Sequence, residues 1–253
     1  MSDAIRIVLV ETSHPGNIGA AARALKNMAL EQLVLVRPRQ FPHADASARA
    51  SSATELLTNA RVESDLAAAV RGCGLVLATT SRERDQYFRV LDVREAARRA
   101  VRESAQAPVA ILFGSERAGL SNDELRHAHA LLRIPTSPAY PSLNLAMAVQ
   151  VVAYEILRAR LEPAPGESLD QAAAPRAAPL ASPEEMEHLY QHLATVLEEI
   201  DFRDRTQSGG HLMRRLRRLL QRAEPDANEV NILRGILTAM QQRRRRAGET
   251  HES

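Results

Sequence analysis

The sequence predicts an α/β protein with a mainly parallel sheet, followed by a smaller all-helical domain. Two observations predict the sheet. Apolar runs alternate with helical segments up to about Arg160, and these runs are nearly continuous, as in strands that are buried on both faces. A third observation predicts the domain division: residues 162–181 are rich in Pro and Ala without periodicity. They indicate a flexible linker between domains at 1–161 and 182–253.

The predicted strands and helices of the first domain alternate along the chain. The strands are the runs IRIVLV, QLVLV, GLVLATT, PVAILFG and LLRIP. The helices between them are GAAARALKNMA, ESDLAAAVRG and VREAARRAVRESA, and the domain ends in the long apolar helix SLNLAMAVQVVAYEILRARL. Because open α/β sheets bind ligands where their strands end, the loops after these strands are the candidate sites.

The last domain is predicted to contain three amphipathic helices. The first and the third have matching start signals, because Ser182 is followed three residues later by Glu185, and Asp226 by Glu229. Such a small bundle has a modest core, so we expect it to be helped by docking elsewhere.

The second of these helices, HLMRRLRRLLQRA, has an apolar stripe and an arginine-rich face. The stripe is formed by Leu212, Leu216 and Leu219. The runs 214–222 and 243–246 contain several arginines and no acidic residue, and such clusters neutralise phosphates. The alternative is a solvated face that keeps the helices soluble, since almost all positive charge in this chain is arginine.

The composition of the chain indicates in which cellular compartment the protein works and which kinds of binding site it lacks. The aromatic content is 3% and Trp is absent, which argues against base recognition dominated by stacking. The single cysteine, Cys73, lies beside the apolar run LVLAT, so we expect a buried thiol in a reducing compartment. We see no signal peptide and no membrane-spanning stretch, which predicts a cytoplasmic protein. His188 and His192 lack a third ligand, so no metal is expected.

The opening loop, ETSHPGNIGAAARALKNM, places Asn17, Gly19 and Arg23 at the start of a helix. It matches neither the dinucleotide-binding pattern G-x-G-x-x-G nor the phosphate-binding pattern G-x-x-x-x-G-K-[ST]. One interpretation is a tight strand-to-helix turn that uses glycine for backbone freedom. The other is an anion held at the helix start, with Arg23 about one turn in.

The loop FGSERAGL also follows a predicted strand and contains Phe113, Gly114, Glu116 and Gly119. Its glycines allow close backbone approach to a ligand. The loop lacks the G-x-S-x-G pattern of a nucleophile elbow, and Glu116 with Arg117 could be only a surface ion pair.

The loop IPTSPAYPSLNLAMA carries three prolines and a tyrosine before the long helix. A purely structural interpretation makes Ser142 the N-cap of that helix and leaves Asn144 incidental. It does not explain the proline-rich loop. A further loop, after GLVLATT, holds Arg82 and Arg84, which either bind phosphate or are solvated.

Together, the three motif loops resemble the SPOUT superfamily of RNA methyltransferases, in its TrmH-like 2′-O-methyltransferase branch. The matching residues are Asn17, Gly19 and Arg23 in the first motif, Phe113, Gly114, Glu116, Gly119 and Leu120 in the second, and Ile134, Pro135, Ser142, Leu143, Asn144 and Ala146 in the third. The opening segment, the third motif and the tail look most like the bacterial tRNA (cytidine/uridine-2′-O)-methyltransferases of this branch. The resemblance therefore covers nearly the whole chain.

The resemblance implies a fold and a ligand that composition does not predict. It implies a deep trefoil knot near the C-terminal end of the sheet, a feature that is otherwise almost absent from proteins. It also implies S-adenosyl-L-methionine as methyl donor, no metal, and a homodimer in which the partner subunit completes each site. The donor-binding residues that it implies are Thr79, Thr80, Ser81, Phe113, Gly114, Gly119, Ile134, Pro141, Ser142 and Leu143.

Roles for side chains follow from the same resemblance. The implied catalytic residues are Arg23, Ser142, Asn144, Asn17 and Glu116. Arg23 would activate the ribose 2′-hydroxyl, either as a base or as an orienting and electrostatic group, and Glu116 would orient Arg23 or its neighbours. The implied RNA-binding residues are Arg23, Arg82, Arg84, Arg214, Arg215, Arg217 and Arg218.

The activity implied by the resemblance is 2′-O-methylation of ribose in tRNA, at the cytidine or uridine of position 32 in the anticodon loop. Methylation of another tRNA position or of rRNA is the first alternative. A non-catalytic RNA-binding protein of the same fold is the second. A Rossmann-type dehydrogenase is the third, and the missing G-x-G-x-x-G pattern disfavours it.

Overall fold

The computed structural model describes residues 4–81, 88–162, 179–202 and 212–249. Strands β1–β7 are Ile5–Val10, Gln32–Val36, Arg61–Glu63, Leu75–Thr79, Val90–Asp92, Val109–Phe113 and Ala130–Arg133. Helices α1–α7 are Pro15–Asn27, Ala44–Ala50, Thr54–Thr58, Leu66–Val70, Val93–Glu103, Asn122–Leu125 and Leu145–Leu161. Helices α8–α10 are Pro183–Glu199, Leu212–Ala223 and Ala227–Glu249.

The strands form one parallel sheet in the order β3-β2-β1-β6-β4-β7-β5. This confirms the predicted mainly parallel sheet. The sequence did not reveal β3 and β5, which are edge strands of three residues each and are largely exposed. They are too short and too polar to show the apolar run of a buried strand. The trefoil knot stays a prediction.

Helices cover both faces of the sheet. Alternate residues of β1 enter different cores: Ile7 and Leu9 pack with the helices α1, α2, α3, α5 and α7, whereas Val8 and Val10 pack with α4 and α6. The central strands are therefore apolar on both faces, which explains their nearly continuous hydrophobic runs. Cys73 is buried in the second core, as expected, and burial raises the pKa of its thiol.

The first residues of α7 differ from the structural interpretation of the sequence, which made Ser142 the N-cap of this helix. The helix begins at Leu145, and its N-cap is Asn144, whose side-chain Oδ1 accepts hydrogen bonds from the backbone of Ala146 and Met147. Ser142 lies two residues before this N-cap and is exposed. The interpretation of Ser142 as N-cap is therefore wrong, and Asn144 is not incidental.

The predicted start signals of the C-terminal helices are confirmed. Ser182 and Glu185 form a reciprocal capping box at α8, and Asp226 and Glu229 exchange equivalent hydrogen bonds at α10. The apolar stripe predicted for α9 is partly wrong, since Leu219 is 52% exposed. The side chains of α9 that pack on the small core are Met213 and Leu220.

The C-terminal helices dock on the first domain. Leu180 packs with the core beneath α5 and α7, although the sequence placed it in the linker. The Nη1 of the buried Arg99 lies 2.7 Å from Glu224 Oε1. The backbone of Val76 donates to His129 Nδ1, so Nε2 carries the hydrogen and donates to the Ala181 carbonyl at 2.9 Å. This docking compensates for a bundle whose own core is small.

Candidate active site

A cavity of about 330 Å³ lies where β4, β6 and β7 end. It is lined by three loops, one after each of these strands, at the edge where open α/β sheets bind ligands. All the residues that the sequence assigns to donor binding line this one cavity: Thr79, Thr80, Ser81, Phe113, Gly114, Gly119, Ile134, Pro141, Ser142 and Leu143. Three separate stretches of sequence thus meet at one place.

The loop after β6 is a tight turn that only glycine permits at two positions. Gly119 has a φ of 68°, in the left-handed region, and its N–H donates to the Ser115 carbonyl at 2.8 Å. A Cβ at Gly114 would collide with the backbone of Gly119 and Leu120. The turn folds back on itself and presents backbone groups to the cavity.

Glu116 is the hydrogen-bonding centre of the site. Its carboxylate accepts bonds from Ser13 N at 2.9 Å, Ser13 Oγ at 2.8 Å, His14 N at 3.2 Å and Asn17 Nδ2 at 2.8 Å. It does not bond to Arg23; of the two roles implied by the resemblance, orienting Arg23 or its neighbours, the contacts favour the second, because they go to Asn17 and to the loop that precedes α1. The surface ion pair with Arg117 is absent among the contacts that the structure describes.

The electrostatics of Glu116 follow from these contacts. Burial alone would raise the pKa of its carboxyl group. Hydrogen bonds from the Ser13 backbone, the Asn17 amide and the Ser13 hydroxyl outweigh burial and lower the pKa to about 2. Glu116 is therefore a permanent anion at neutral pH, which makes it an acceptor and not a proton donor.

Asn17 links the first motif to the third. Its Nδ2 donates to Glu116, and its Oδ1 accepts a hydrogen bond from Asn144 Nδ2 at 3.1 Å. Since Asn144 is also the N-cap of α7, the network fixes the start of that helix against the start of α1. The chain Asn144–Asn17–Glu116 thus joins residues from all three motifs.

Gly19 and Arg23 are four residues apart in α1, so they lie on the same side of that helix. Arg23 is exposed and forms no hydrogen bond or ion pair with any residue that the structure describes. Gly19 is buried, and a Cβ there would collide with the Ala46 carbonyl oxygen of α2. Gly19 therefore allows close packing of α1 and α2.

Sequence reasoning missed two residues of this network. Ser13 donates to Glu116 through both its backbone N–H and its hydroxyl, and the side chain of His14 caps α1 by accepting a hydrogen bond from Gly16 N at 3.1 Å. Their only signal was their position just before the glycines of the first motif. Thr136 and Leu125 also line the cavity without having been singled out.

The arginines predicted to bind RNA divide into groups. Arg82 and Arg84 lie outside the described residues. Arg214 and Arg215 are exposed on α9, and Arg218 is half-buried. Arg217 is different, because it forms a bidentate pair with Glu187 at 2.7 and 2.9 Å and its guanidinium lies 4.2 Å above the Tyr190 ring. Its cationic group is occupied inside the domain, so we correct its assignment from RNA contact to packing.

Within the described ranges, no cluster of three or more His, Cys, Asp or Glu side chains is arranged to hold a metal ion. His192 is near the Gln241 amide oxygen, at 3.1 Å from Nε2. None of the described helices combines the length and the apolarity needed to cross a bilayer.

Comparison with known protein families shows the class of protein to which this chain belongs. The model of the SpoU rRNA Methylase family matches residues 4–154, which contain the sheet, the cavity and the three motifs. The model of the TrmJ C-terminal domain matches residues 184–250, which contain the docked helices. Fold and site therefore define a SpoU-type methylase with an additional helical domain.

Individual relatives narrow the family. The tRNA (cytidine/uridine/adenosine-2′-O-)-methyltransferase TrmJ of Pseudomonas aeruginosa is 48% identical over 95% of this chain and 95% of its own length. The tRNA (cytidine/uridine-2′-O-)-methyltransferase TrmJ of Sodalis glossinidius is 47% identical over 94% of this chain and 91% of its own. The crystal structure of TrmJ from Z. mobilis ZM4 superposes with a TM-score of 0.73 at 35% identity, covering 93% and 98% of the two chains. The chain belongs to the TrmJ family of SpoU methylases.

Proposed function

We propose that this protein transfers a methyl group from S-adenosyl-L-methionine to a ribose 2′-oxygen of tRNA. The observation that carries the proposal is the hydrogen-bonded chain Asn144–Asn17–Glu116, which joins the three motifs at the edge of one cavity. Relatives that are 47% and 48% identical are named as tRNA 2′-O-methyltransferases, and this supports the substrate class. We also propose that the enzyme works in the cytosol.

The lining of the cavity fits a methyl donor of this kind. Its volume lies in the range of small-molecule sites. The lining consists mainly of glycine, proline, hydroxyl and apolar side chains, so that backbone groups and Thr80, Ser81 or Ser142 would hold the polar parts of the donor. S-adenosyl-L-methionine supplies a methyl group that is already activated on a sulfonium, so the protein has to align two reactants and manage one proton.

Arg23 is the residue that we assign to the acceptor. In the reaction a new bond forms between the ribose 2′-oxygen and the methyl carbon, the sulfur–carbon bond breaks and leaves a neutral thioether, and the proton of the 2′-hydroxyl passes to water. A guanidinium is a poor base because it stays protonated in proteins. We therefore propose that Arg23 holds the adjacent phosphate and stabilises negative charge that develops on the 2′-oxygen. Its exposure and its lack of a described partner are consistent with this role.

The remaining network has a positioning role in this proposal. Glu116 stays ionised at neutral pH and holds the Ser13–His14 backbone and Asn17 in place. Asn17 in turn orients Asn144. Preorganised contacts of this kind fix the geometry of a reaction without taking part in bond changes. Ser142, on the lining of the cavity, is placed to contact the donor or the ribose.

The C-terminal domain would hold the tRNA. Arg214 and Arg215 are exposed on α9, and Arg218 lies beside them on the same helix. Contacts from such side chains to phosphates position an RNA without reading its sequence. We propose the ribose of position 32 in the anticodon loop as the target, because the tail resembles the tRNA enzymes that act there.

A homodimer is part of the proposal. Met147 and Tyr154 are 62% and 49% exposed on α7, and a spacing of seven residues puts them on one side of that helix. Large apolar side chains at the surface mark interaction sites. Light scattering of the purified protein tests this: we expect a dimer, and Met147→Glu with Tyr154→Glu should give monomers. A monomeric wild-type protein would contradict it.

The decisive experiment is mass spectrometry of unmodified tRNA after incubation with the protein and S-adenosyl-L-methionine, with nuclease mapping of any methyl group. A single 2′-O-methyl group at position 32 is expected, and an Arg23→Ala variant serves as the matched negative control. Methylation at another tRNA position, or of rRNA alone, would keep the chemistry and refute the site. Binding of tRNA without methylation would favour a non-catalytic protein, and tight binding of NAD would favour a dehydrogenase.

A further inference from the structure

A second arginine, Arg49, lies beside the first motif. Arg49 is in the last turn of α2, and its side chain crosses the start of α1: an ideal Cβ at Gly16 would be 2.7 Å from both Cδ and Nε of Arg49. Gly16 immediately precedes Asn17, which bonds to Glu116 and Asn144. The guanidinium of Arg49 is therefore adjacent to the network that joins the three motifs.

Arg49 has a charge that the protein does not neutralise locally. It is exposed and forms no hydrogen bond or ion pair with any residue in the described part of the chain. Lys26, a cation near the end of α1, is in contrast paired with Glu55 at 2.6 Å and bonded to the Ser52 carbonyl. The nearest acid on its own helix, Asp45, lies within ion-pair distance of His43 instead.

The position of Arg49 relative to Arg23 follows from helix geometry. Gly16 and Arg23 are seven residues apart in α1, so they lie on nearly the same side of the helix, about 10 Å apart along its axis. Arg49 covers Gly16, and Arg23 projects from the same side two turns later. Two exposed guanidinium groups therefore lie along one side of α1, and the first of them is next to the residue that precedes Asn17.

The helix that carries Arg49, α2, packs tightly against α1. Helices α1 and α2 are in close contact, because Gly19 lets the Ala46 carbonyl approach its Cα directly. Ala46 and Ala50 are both fully buried in the core. The backbone of Arg49 is therefore held in place, so that binding has to order only its side chain, which suits a positioning contact.

We propose that Arg49 binds a backbone phosphate of the RNA strand next to the nucleotide held by Arg23. This inference rests on the proposed function, since it takes RNA as the substrate. Arg49 is a positioning residue: it supplies one cationic contact that fixes the strand along α1, and it takes no part in bond changes. Phosphate contacts of this kind set affinity and its dependence on salt.

The test measures binding of an unmodified tRNA transcript to the full chain between about 50 and about 200 mM KCl. Arg49→Gln should weaken binding by about 5- to 10-fold and lower the slope of log affinity against log salt by about one. Arg49→Lys should restore most of both, because a phosphate contact needs charge more than it needs a planar fork. Arg102→Gln, which removes an exposed arginine of α5, is the matched control and should change affinity less than twofold.

A double-mutant cycle tests the contact with Gly16. Gly16→Ala puts a methyl group into the space of the Arg49 side chain, so it should weaken RNA binding in the native chain and add nothing to Arg49→Gln. Binding of S-adenosyl-L-methionine should stay unchanged in every variant, which excludes unfolding as the cause.

Two results would overturn the inference. One is an unchanged salt slope in Arg49→Gln, and the other is an equal loss in Arg102→Gln, which would show a general effect of charge. Failure of the proposed function is distinguishable, because it appears as absent methylation by the wild-type protein whatever the salt slope of Arg49→Gln. Methylation with an unchanged slope would refute the role of Arg49 alone.

Discussion

The side-chain amide of Asn17 donates a 2.8 Å hydrogen bond to the carboxylate of Glu116, although the two residues are 99 positions apart in the chain. The contact spans the gap between the start of α1 and the turn after β6. Because Asn17 also accepts from Asn144, displacement of any one of the three residues affects the other two. The first predictions concern this network.

Replacing Glu116 by Gln should disable the site while keeping its shape. The amide presents an N–H group to donors on Ser13, His14 and Asn17, so at least one hydrogen bond is lost and a donor faces a donor. We expect turnover to fall by about 10- to 100-fold, measured as tRNA methylation. Glu162→Gln, which removes a carboxylate paired with Arg98 outside the site, is the control. Equal activity of both variants would refute the role of Glu116.

The low pKa of Glu116 predicts a contribution to stability that depends on pH. The folded-state pKa, about 2, is below the ordinary value of 4.5, so the contribution is fully present above about pH 4.5 and is lost as pH falls toward 2. Unfolding in denaturant at several pH values checks this. The difference in unfolding free energy between wild type and Glu116→Gln should be constant near neutral pH and shrink in that acidic window. A difference that stays constant to pH 2 would contradict the lowered pKa.

Gly114→Ala should damage the cavity. The added methyl group would collide with the backbone of Gly119 and Leu120, which cannot move without opening the turn. We expect weaker binding of S-adenosyl-L-methionine in calorimetry and a lower melting temperature. Gly235→Ala is the matched control, since a Cβ there meets nothing in the middle of α10; it should stabilise the protein by about 0.5–1 kcal/mol. Normal donor binding by Gly114→Ala would show that the turn is not part of the site.

Arg23→Lys should fail as an enzyme while folding normally. Lysine keeps the charge but lacks the planar fork that contacts two oxygens at once. Because Arg23 is exposed and has no described partner, the melting temperature should not change. We expect turnover to fall by at least about 100-fold in single-turnover assays. Near-normal turnover of Arg23→Lys would show that the positive charge alone is sufficient and would contradict the proposed role of the planar guanidinium.

Alanine variants of Arg217 and Arg214 should have different effects on the stability of the protein and on its binding of tRNA. Arg217→Ala breaks the bidentate pair with Glu187 and the stacking on Tyr190, so we expect a loss of about 1 kcal/mol in unfolding free energy. Arg214→Ala, at an exposed position of the same helix, should lower the unfolding free energy less than Arg217→Ala does and should weaken tRNA binding. The opposite pattern would return Arg217 to the RNA-binding surface and remove Arg214 from it.

The sequence by itself determined the central strands of the sheet and the long helices, and its motifs indicated which loops form the candidate site. Buried parallel strands need apolar residues on both faces, and helix starts need capping side chains, so both leave local patterns such as the pairs at Ser182 and Asp226. The motif residues could be named because their three short patterns, in order, resemble those of a known family. The edge strands β3 and β5 could not be predicted from the sequence, because they bury too few side chains to leave a recognisable apolar run.

Only the tertiary structure decided which motif residue contacts which. The partners of Glu116 proved to be Ser13, His14 and Asn17 instead of Arg23, and Gly19 proved to face α2. Arg217 turned inward toward Glu187, while Arg49 was brought over Gly16. These contacts join residues far apart in sequence. Their geometry depends on how helices pack against one another, and no local periodicity encodes that.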